Sequence, residues 1–257
     1  MTSMKGEHAL VTGANRGIGA AIARQLAAAG ADVSLLVRDP QGAASLAEEL
    51  RALGVRVGIV TADVTDRAGL QRACDEAAEA RGPVTALINN AGSVRTIPFL
   101  KSDAAQFTSM YAVHVMGPVH AAQAVLPAML ARGSGSIVNV ASIAGLVGAA
   151  YVAHYVAAKH AMVGLTRALA VEFAAKGIRV NAVCPGYTDT ELVSDAVTKI
   201  VGKTGRSAAE AMQIILTDAG QTRLVHPDEV AAAVVTFCDP GSTVTGQALP
   251  LMGEARA

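Results

Sequence analysis

One feature constrains this chain more than any other: short runs rich in Val, Ile and Leu alternate with longer Ala-rich amphipathic runs over almost its whole length. The short runs are continuously apolar rather than alternating in polarity. Strands buried on both faces need that pattern, so it predicts a parallel sheet covered by helices on each side. Strands are expected at His8–Thr12, Asp32–Val37, Val55–Thr61, Val84–Asn89, Ser136–Ala141, Ile178–Val183 and Val244–Leu249. Helices are expected at Ile18–Ala29, Ala43–Leu53, Arg67–Ala80, Tyr151–Ala175, Ala208–Leu216 and Asp228–Cys238, with one long helical stretch over Asp103–Ala131. Gly30 and Gly54 stand where helices commonly end. Repeated strand–helix units close through right-handed crossovers into a doubly wound α/β sheet. The exception is Pro185–Gly205, which reads as irregular and lies where a binding-site lid could sit.

Composition narrows the functional classes. The chain has 257 residues and is 52% hydrophobic, enough for one large core, and no Pro/Ser-rich linker divides it. Residues 1–257 are therefore read as a single domain. Lys and Arg number 21 against 21 Asp and Glu, so the basic excess that nucleic-acid or membrane-surface binding needs is missing. Aromatics at 3% are too few for a base-stacking surface. No signal-peptide pattern opens the chain, and no uninterrupted apolar run reaches the ~18 residues of a membrane span. Cys74, Cys184 and Cys238 are odd in number and widely spaced, which argues against a disulfide frame or a metal site and suits a reducing, cytoplasmic setting.

Between the first strand and the first helix lies Thr12-Gly13-Ala14-Asn15-Arg16-Gly17-Ile18-Gly19. Glycines there let the backbone turn tightly and let a pyrophosphate come close. The helix N-terminus adds free N–H groups and the positive end of its dipole. The spacing is GxxxGxG, not the GxGxxG of the standard dinucleotide fingerprint.

This turn resembles the cofactor turn of the short-chain dehydrogenases/reductases. Asn89-Asn90-Ala91-Gly92 is similar to that family's Asn-Asn-Ala-Gly motif, and Asp63 matches its adenine-contacting Asp. Pro185-Gly186 followed by Thr188 resembles the segment that closes over the nicotinamide, and residues 186–216 resemble the mobile substrate loop. The resemblance covers roughly residues 7–253. It implies a single-domain, Rossmann-like α/β fold, a nicotinamide cofactor, and a homo-oligomer, tetramer or dimer. The implied cofactor contacts are Gly13, Asn15, Arg16, Gly17, Ile18, Gly19, Arg38, Asp63, Val64, Asn90, Ala91, Gly92, Tyr155, Lys159, Pro185, Gly186 and Thr188.

Ser142, Tyr155 and Lys159 form the chemical core of the expectation. Tyr155 and Lys159 are i and i+4 on a predicted helix, so they share a face. Ser142 follows a strand, at the carboxyl edge where open α/β sheets bind ligands. Reducing a ketone puts charge on its oxygen, which must then receive a proton. A phenol is a poor acid/base near neutrality, so an ammonium at Lys159 and a cationic nicotinamide are expected to lower the Tyr155 pKa. Lys159 would also hold the cofactor ribose, and Ser142 would hydrogen-bond the substrate oxygen. The family's fourth catalytic residue is an Asn, whose backbone carbonyl holds a relay water. His114 occupies that place here. Pro118, at i+4, has no N–H for the His114 carbonyl and is expected to kink the helix.

For the cofactor, Arg16 and Arg38 suit a 2′-phosphate and favour NADP(H). Asp39 lies near the spacing at which an acid binds the NAD ribose, so NAD(H) stays possible. Leu146, Val147, Tyr151, His154, Tyr187 and Leu192 are expected to line the substrate pocket. A 3-oxoacyl thioester is the favoured substrate, with a steroid, a sugar or a small secondary alcohol as alternatives. Arg132, Lys199, Lys203 and Arg206 would supply a docking patch for an acyl carrier if folding gathers them. A non-catalytic nucleotide-sensing module on the same fold is the rival of another class.

Overall fold

The computed structural model describes residues 3–254. Seven parallel strands form one sheet in the order β3-β2-β1-β4-β5-β6-β7. They are β1 His8–Thr12, β2 Asp32–Val37, β3 Val57–Thr61, β4 Ala86–Asn89, β5 Gly135–Val140, β6 Ile178–Pro185 and β7 Ala248–Leu251. The order reverses between β1 and β4, and ligands of such sheets bind outside the strand ends at that point. Helices α1 Gly17–Ala28, α2 Ala44–Arg51 and α9 Pro227–Cys238 share a core with one face of the sheet. Helices α3 Arg67–Arg81, α5 Gly117–Arg132 and α6 Ala153–Phe173 bury residues in the core on the other.

Three departures from the sequence reading have physical causes. The stretch expected as one helix is α4 Ala104–Tyr111, a π turn over Ala112–Met116, then α5. The Gly117 N–H reaches back to the Ala112 carbonyl, and Pro118 follows with no N–H to continue the ordinary ladder. This stretch, Ala104–Arg132, is long and apolar enough to cross a membrane, but half of its apolar window is buried in the protein. The segment read as irregular contains α7 Glu191–Thr204, which packs on α8 Ala208–Asp218. Val193 and Val197 are buried against Ala211 and Ile215, so tertiary packing outweighs the weak helix propensity of its Val, Thr and Gly residues. The last strand begins four residues later than expected. Thr245 and Gly246 instead hydrogen-bond the backbone of Val180, ahead of the strand pairing.

Candidate active site

The glycine turn has the shape a pyrophosphate requires. Gly13 and Gly17 have φ of +64° and +53°, where a side chain would be strained. A Cβ on Gly13 would stand 2.9 Å from the Ala91 Cα, and one on Gly19 would overlap the Gly13 carbonyl and the Asn90 amide. The Asn90 side chain donates to the carbonyls of Thr12 and Gly13, both at 3.0 Å. The Thr12 hydroxyl accepts from the N–H groups of Asn90 and Ala91. Asn90 and Ala91 thus clamp the turn. No side chain caps α1, so its first N–H groups remain available to a ligand. These residues fit a dinucleotide.

At the adenosine end, the expected residues lie close together. Arg38 is 3.9 Å from Asp63, an exposed pair. Asp63 also accepts from the Thr65 N–H and hydroxyl, which hold its carboxyl below the usual range. Asp39, the acid that would have favoured NAD(H), is engaged by the Gln41 N–H at 3.0 Å. Arg16 meets Glu191 at 2.8 Å.

Ser142 follows β5 with its hydroxyl directed at the Pro185 carbonyl, 3.5 Å away, and accepting from the Ala144 N–H. Tyr155 and Lys159 project from the first turns of α6 as the i,i+4 spacing predicted. The Lys159 ammonium lies 5.6 Å from the Tyr155 ring centre and donates to the Val140 carbonyl at 2.8 Å. Burial works against the expected lowering. It pushes the Tyr155 phenol up to about 12, against a hydrogen bond with Ser142, and takes Lys159 down to about 7. Desolvation penalises both charged forms and outweighs the Ser142 hydrogen bond at Tyr155 and the Cys184 attraction at Lys159. From the chain's own groups, Tyr155 is a held phenol, ready to give a proton.

His114 is buried and stacks edge-on against Tyr155, with ring centres 5.3 Å apart. Its Nε2 lies 2.7 Å from the Ser93 carbonyl, so that nitrogen carries the proton and donates. Burial, and then the Lys159 charge, hold its pKa at about 3. These surroundings favour the neutral imidazole.

The expected pocket residues divide. Tyr187 faces Tyr155 closely enough to oppose its ionisation. Leu146 packs against Met162, Val163 and Cys184. Val147, Tyr151 and Leu192 are exposed, and Tyr151 takes a φ of +63°, which starts α6 two residues later than predicted. Its carbonyl accepts from the Ile97 N–H. His154 is a correction. It points toward α4, edge-on to Phe107, and lines a separate cleft of about 290 Å³ with Thr108, Tyr111, Ala157 and Ala158. Adjacent residues on a helix point about 100° apart, so His154 cannot share the Tyr155 face. Of the four basic residues, Arg132 pairs with Glu7 ahead of β1, whereas Lys199 and Lys203 lie on α7 and Arg206 in the link that follows it.

Thr188, an expected cofactor contact, is buried and donates its hydroxyl to the Gly186 carbonyl. Several contributors went unread in the sequence. The Thr190 methyl comes within 3.4 Å of a Cβ built on Gly17. Gln221 is fully buried and clamps Tyr187 through both its N–H and its carbonyl. Beneath the site, Asn89 donates to Asn139, which donates to Thr166, which donates to the Met162 carbonyl. That chain joins β4, β5 and α6. Its one sequence signal is polar Asn inside an otherwise apolar strand.

Comparison with known proteins agrees with this geometry. The family model for short chain dehydrogenases matches residues 7–200. Galactitol 2-dehydrogenase (L-tagatose-forming) of Cereibacter sphaeroides is 38% identical over 254 residues, spanning 97% of this chain and 95% of the relative. The crystal structure of a variant of actinorhodin polyketide ketoreductase with NADPH is 36% identical, with a TM-score of 0.91 and 98% of each chain covered. L-Sorbose reductase of Gluconobacter frateurii, complexed with NADPH and L-sorbose, has a TM-score of 0.93 at 28% identity, covering 99% of this chain and 98% of the other. With a family match that runs from β1 into α7, and relatives alike over their whole length, this chain belongs to the short-chain dehydrogenase family.

Proposed function

We propose that this chain is an NADPH-dependent reductase interconverting a ketone and a secondary alcohol, with a 3-oxoacyl thioester or a similar ketone as substrate. The observation that carries the reading is Tyr155, half-buried, hydrogen-bonded to Ser142 and 5.6 Å from the Lys159 ammonium. The bound cofactor would supply the hydride. Ser142 orients the substrate oxygen, and Tyr155 delivers its phenolic proton to that oxygen as charge develops there. Lys159 supports the phenolate left behind and holds the ribose. The His114 carbonyl, denied the i+4 donor by Pro118, would hold a water that reloads the relay. Gly13, Gly17 and Gly19 would admit the pyrophosphate, with Arg16 and Arg38 taking the 2′-phosphate.

Two solved relatives carry NADPH, and one of them is a polyketide ketoreductase, which supports both halves of the reading. Galactitol 2-dehydrogenase supports a second one, in which the substrate is a sugar alcohol. Residues 1–257 act as one domain with residues 186–216 as its substrate loop. Three buried, unpaired cysteines support a cytoplasmic setting, and the apolar cleft between α4 and α6 supports a homo-oligomer. The test is turnover on a panel of 3-oxoacyl thioesters and ketosugars with each nicotinamide. Faster reduction of the thioesters with NADPH than with NADH is expected. Activity confined to sugars, or a clear preference for NADH, would replace the reading.

A further inference from the structure

We infer that Glu191 competes with the cofactor's 2′-phosphate for Arg16, and so sets how strongly this chain discriminates NADP(H) from NAD(H). The inference rests on the proposed use of NADPH and adds a residue from a distant segment to it.

Arg16 is the residue before α1, with an extended backbone (φ −159°, ψ 171°), and its side chain caps nothing. It leaves the turn and places Nη1 2.8 Å from Glu191 Oε2. Glu191 is the first residue of α7, where the helix dipole favours a carboxylate. Thr190, beside it, touches the space above Gly17, so α7 begins directly over the phosphate turn. Arg38 has its own carboxylate neighbour at 3.9 Å in Asp63. Both guanidiniums suited to a 2′-phosphate therefore already face an acid.

A phosphate arriving at Arg16 must displace the Glu191 carboxylate or sit beside it. Displacement gives up an ion pair, and coexistence brings two anions together. NAD(H) has no 2′-phosphate and meets neither cost. The Arg16–Glu191 pair is 72% exposed on each side, and exposed pairs of this kind change affinities by only about 2- to 5-fold. Glu191 thus tempers a preference for NADP(H) that Arg16 creates.

Direct titration of NADPH and NADH into the purified full chain tests this, using Glu191→Gln, Arg16→Gln and the double variant. Glu191→Gln should lower the Kd for NADPH about 2- to 5-fold and leave that for NADH unchanged. In the Arg16→Gln background the same change should do nothing. The gain should shrink at high salt. If Arg16→Gln weakens NADPH binding but Glu191→Gln does not tighten it, or tightens NADH equally, the competition is wrong. If Arg16→Gln leaves NADPH binding intact, the 2′-phosphate assignment on which the competition rests is wrong.

Discussion

The frame made by β4, β5 and α6 and the α7–α8 pair, the proposed lid, are held by different forces. In the frame, polar groups are buried and paired: Asn89, Asn139 and Thr166 in a chain, and Lys159 on the Val140 carbonyl. In the lid, a small apolar cluster of Val193, Val197, Ala211 and Ile215 stands apart from the main cores. The exposed Arg16–Glu191 pair ties it to the glycine turn. Breaking a buried polar contact leaves an unsatisfied group, whereas losing an exposed pair costs little. On the proposed function, catalytic geometry would belong to the part that cannot yield, and substrate access to the part held by the weaker forces.

The largest expected effect separates the two regions directly. Tyr155→Phe keeps the ring but removes the proton, so kcat should fall at least ~10²-fold with NADPH affinity unchanged. Ile215→Ala in the lid should raise KM for the ketone several-fold and barely move the global unfolding transition. Leu26→Ala, fully buried in the main core, should cost about 2–5 kcal/mol. Chemical denaturation of both alanine variants checks this, and equal losses would show the lid to be part of the core.

A second experiment trades function against stability inside the frame. Burial takes Lys159 from 10.5 down to about 7. Between those values the unfolded chain binds more protons, so stability rises with pH across that window, and the full penalty applies below about 7. Lys159→Met should abolish turnover yet raise the melting temperature near neutral pH, the gain in stability being on the order of a few kcal/mol. That gain should fade as the pH climbs toward 10.5. Melting curves of both proteins across this range decide it. A pH-independent difference would show that the ammonium is not what burial penalises.

The smallest effect is expected at His114. Its imidazole is held at about 3 and stays neutral, so His114→Asn should keep activity within a few-fold and leave the pH–rate profile unshifted near neutrality. A moved limb there would make the imidazole a titrating member of the relay.

Much of this was legible in the chain because it is local. Continuous apolar runs announce buried strands, and an i,i+4 pair shares a helix face whatever surrounds it. The π turn was foreshadowed by Pro118, since a missing N–H is a property of one residue. Helix α7 was not legible: its Val, Thr and Gly residues are weak helix formers, and only α8 gives its apolar face something to pack against. The side taken by His154 was likewise missed, because it depends on where α4 lies.

The sequence by itself therefore determined the doubly wound sheet, the turn that only glycine can make at Gly13 and Gly17, and the grouping of Ser142, Tyr155 and Lys159. Tertiary structure alone decided which acid Arg16 faces, which residue clamps Tyr187, and in which direction Tyr155 and Lys159 shift. Periodicity and backbone sterics act over a few residues and are written along the chain. Desolvation and ion pairing sum over side chains brought together from distant segments, and they acquire a sign only once the fold has placed them.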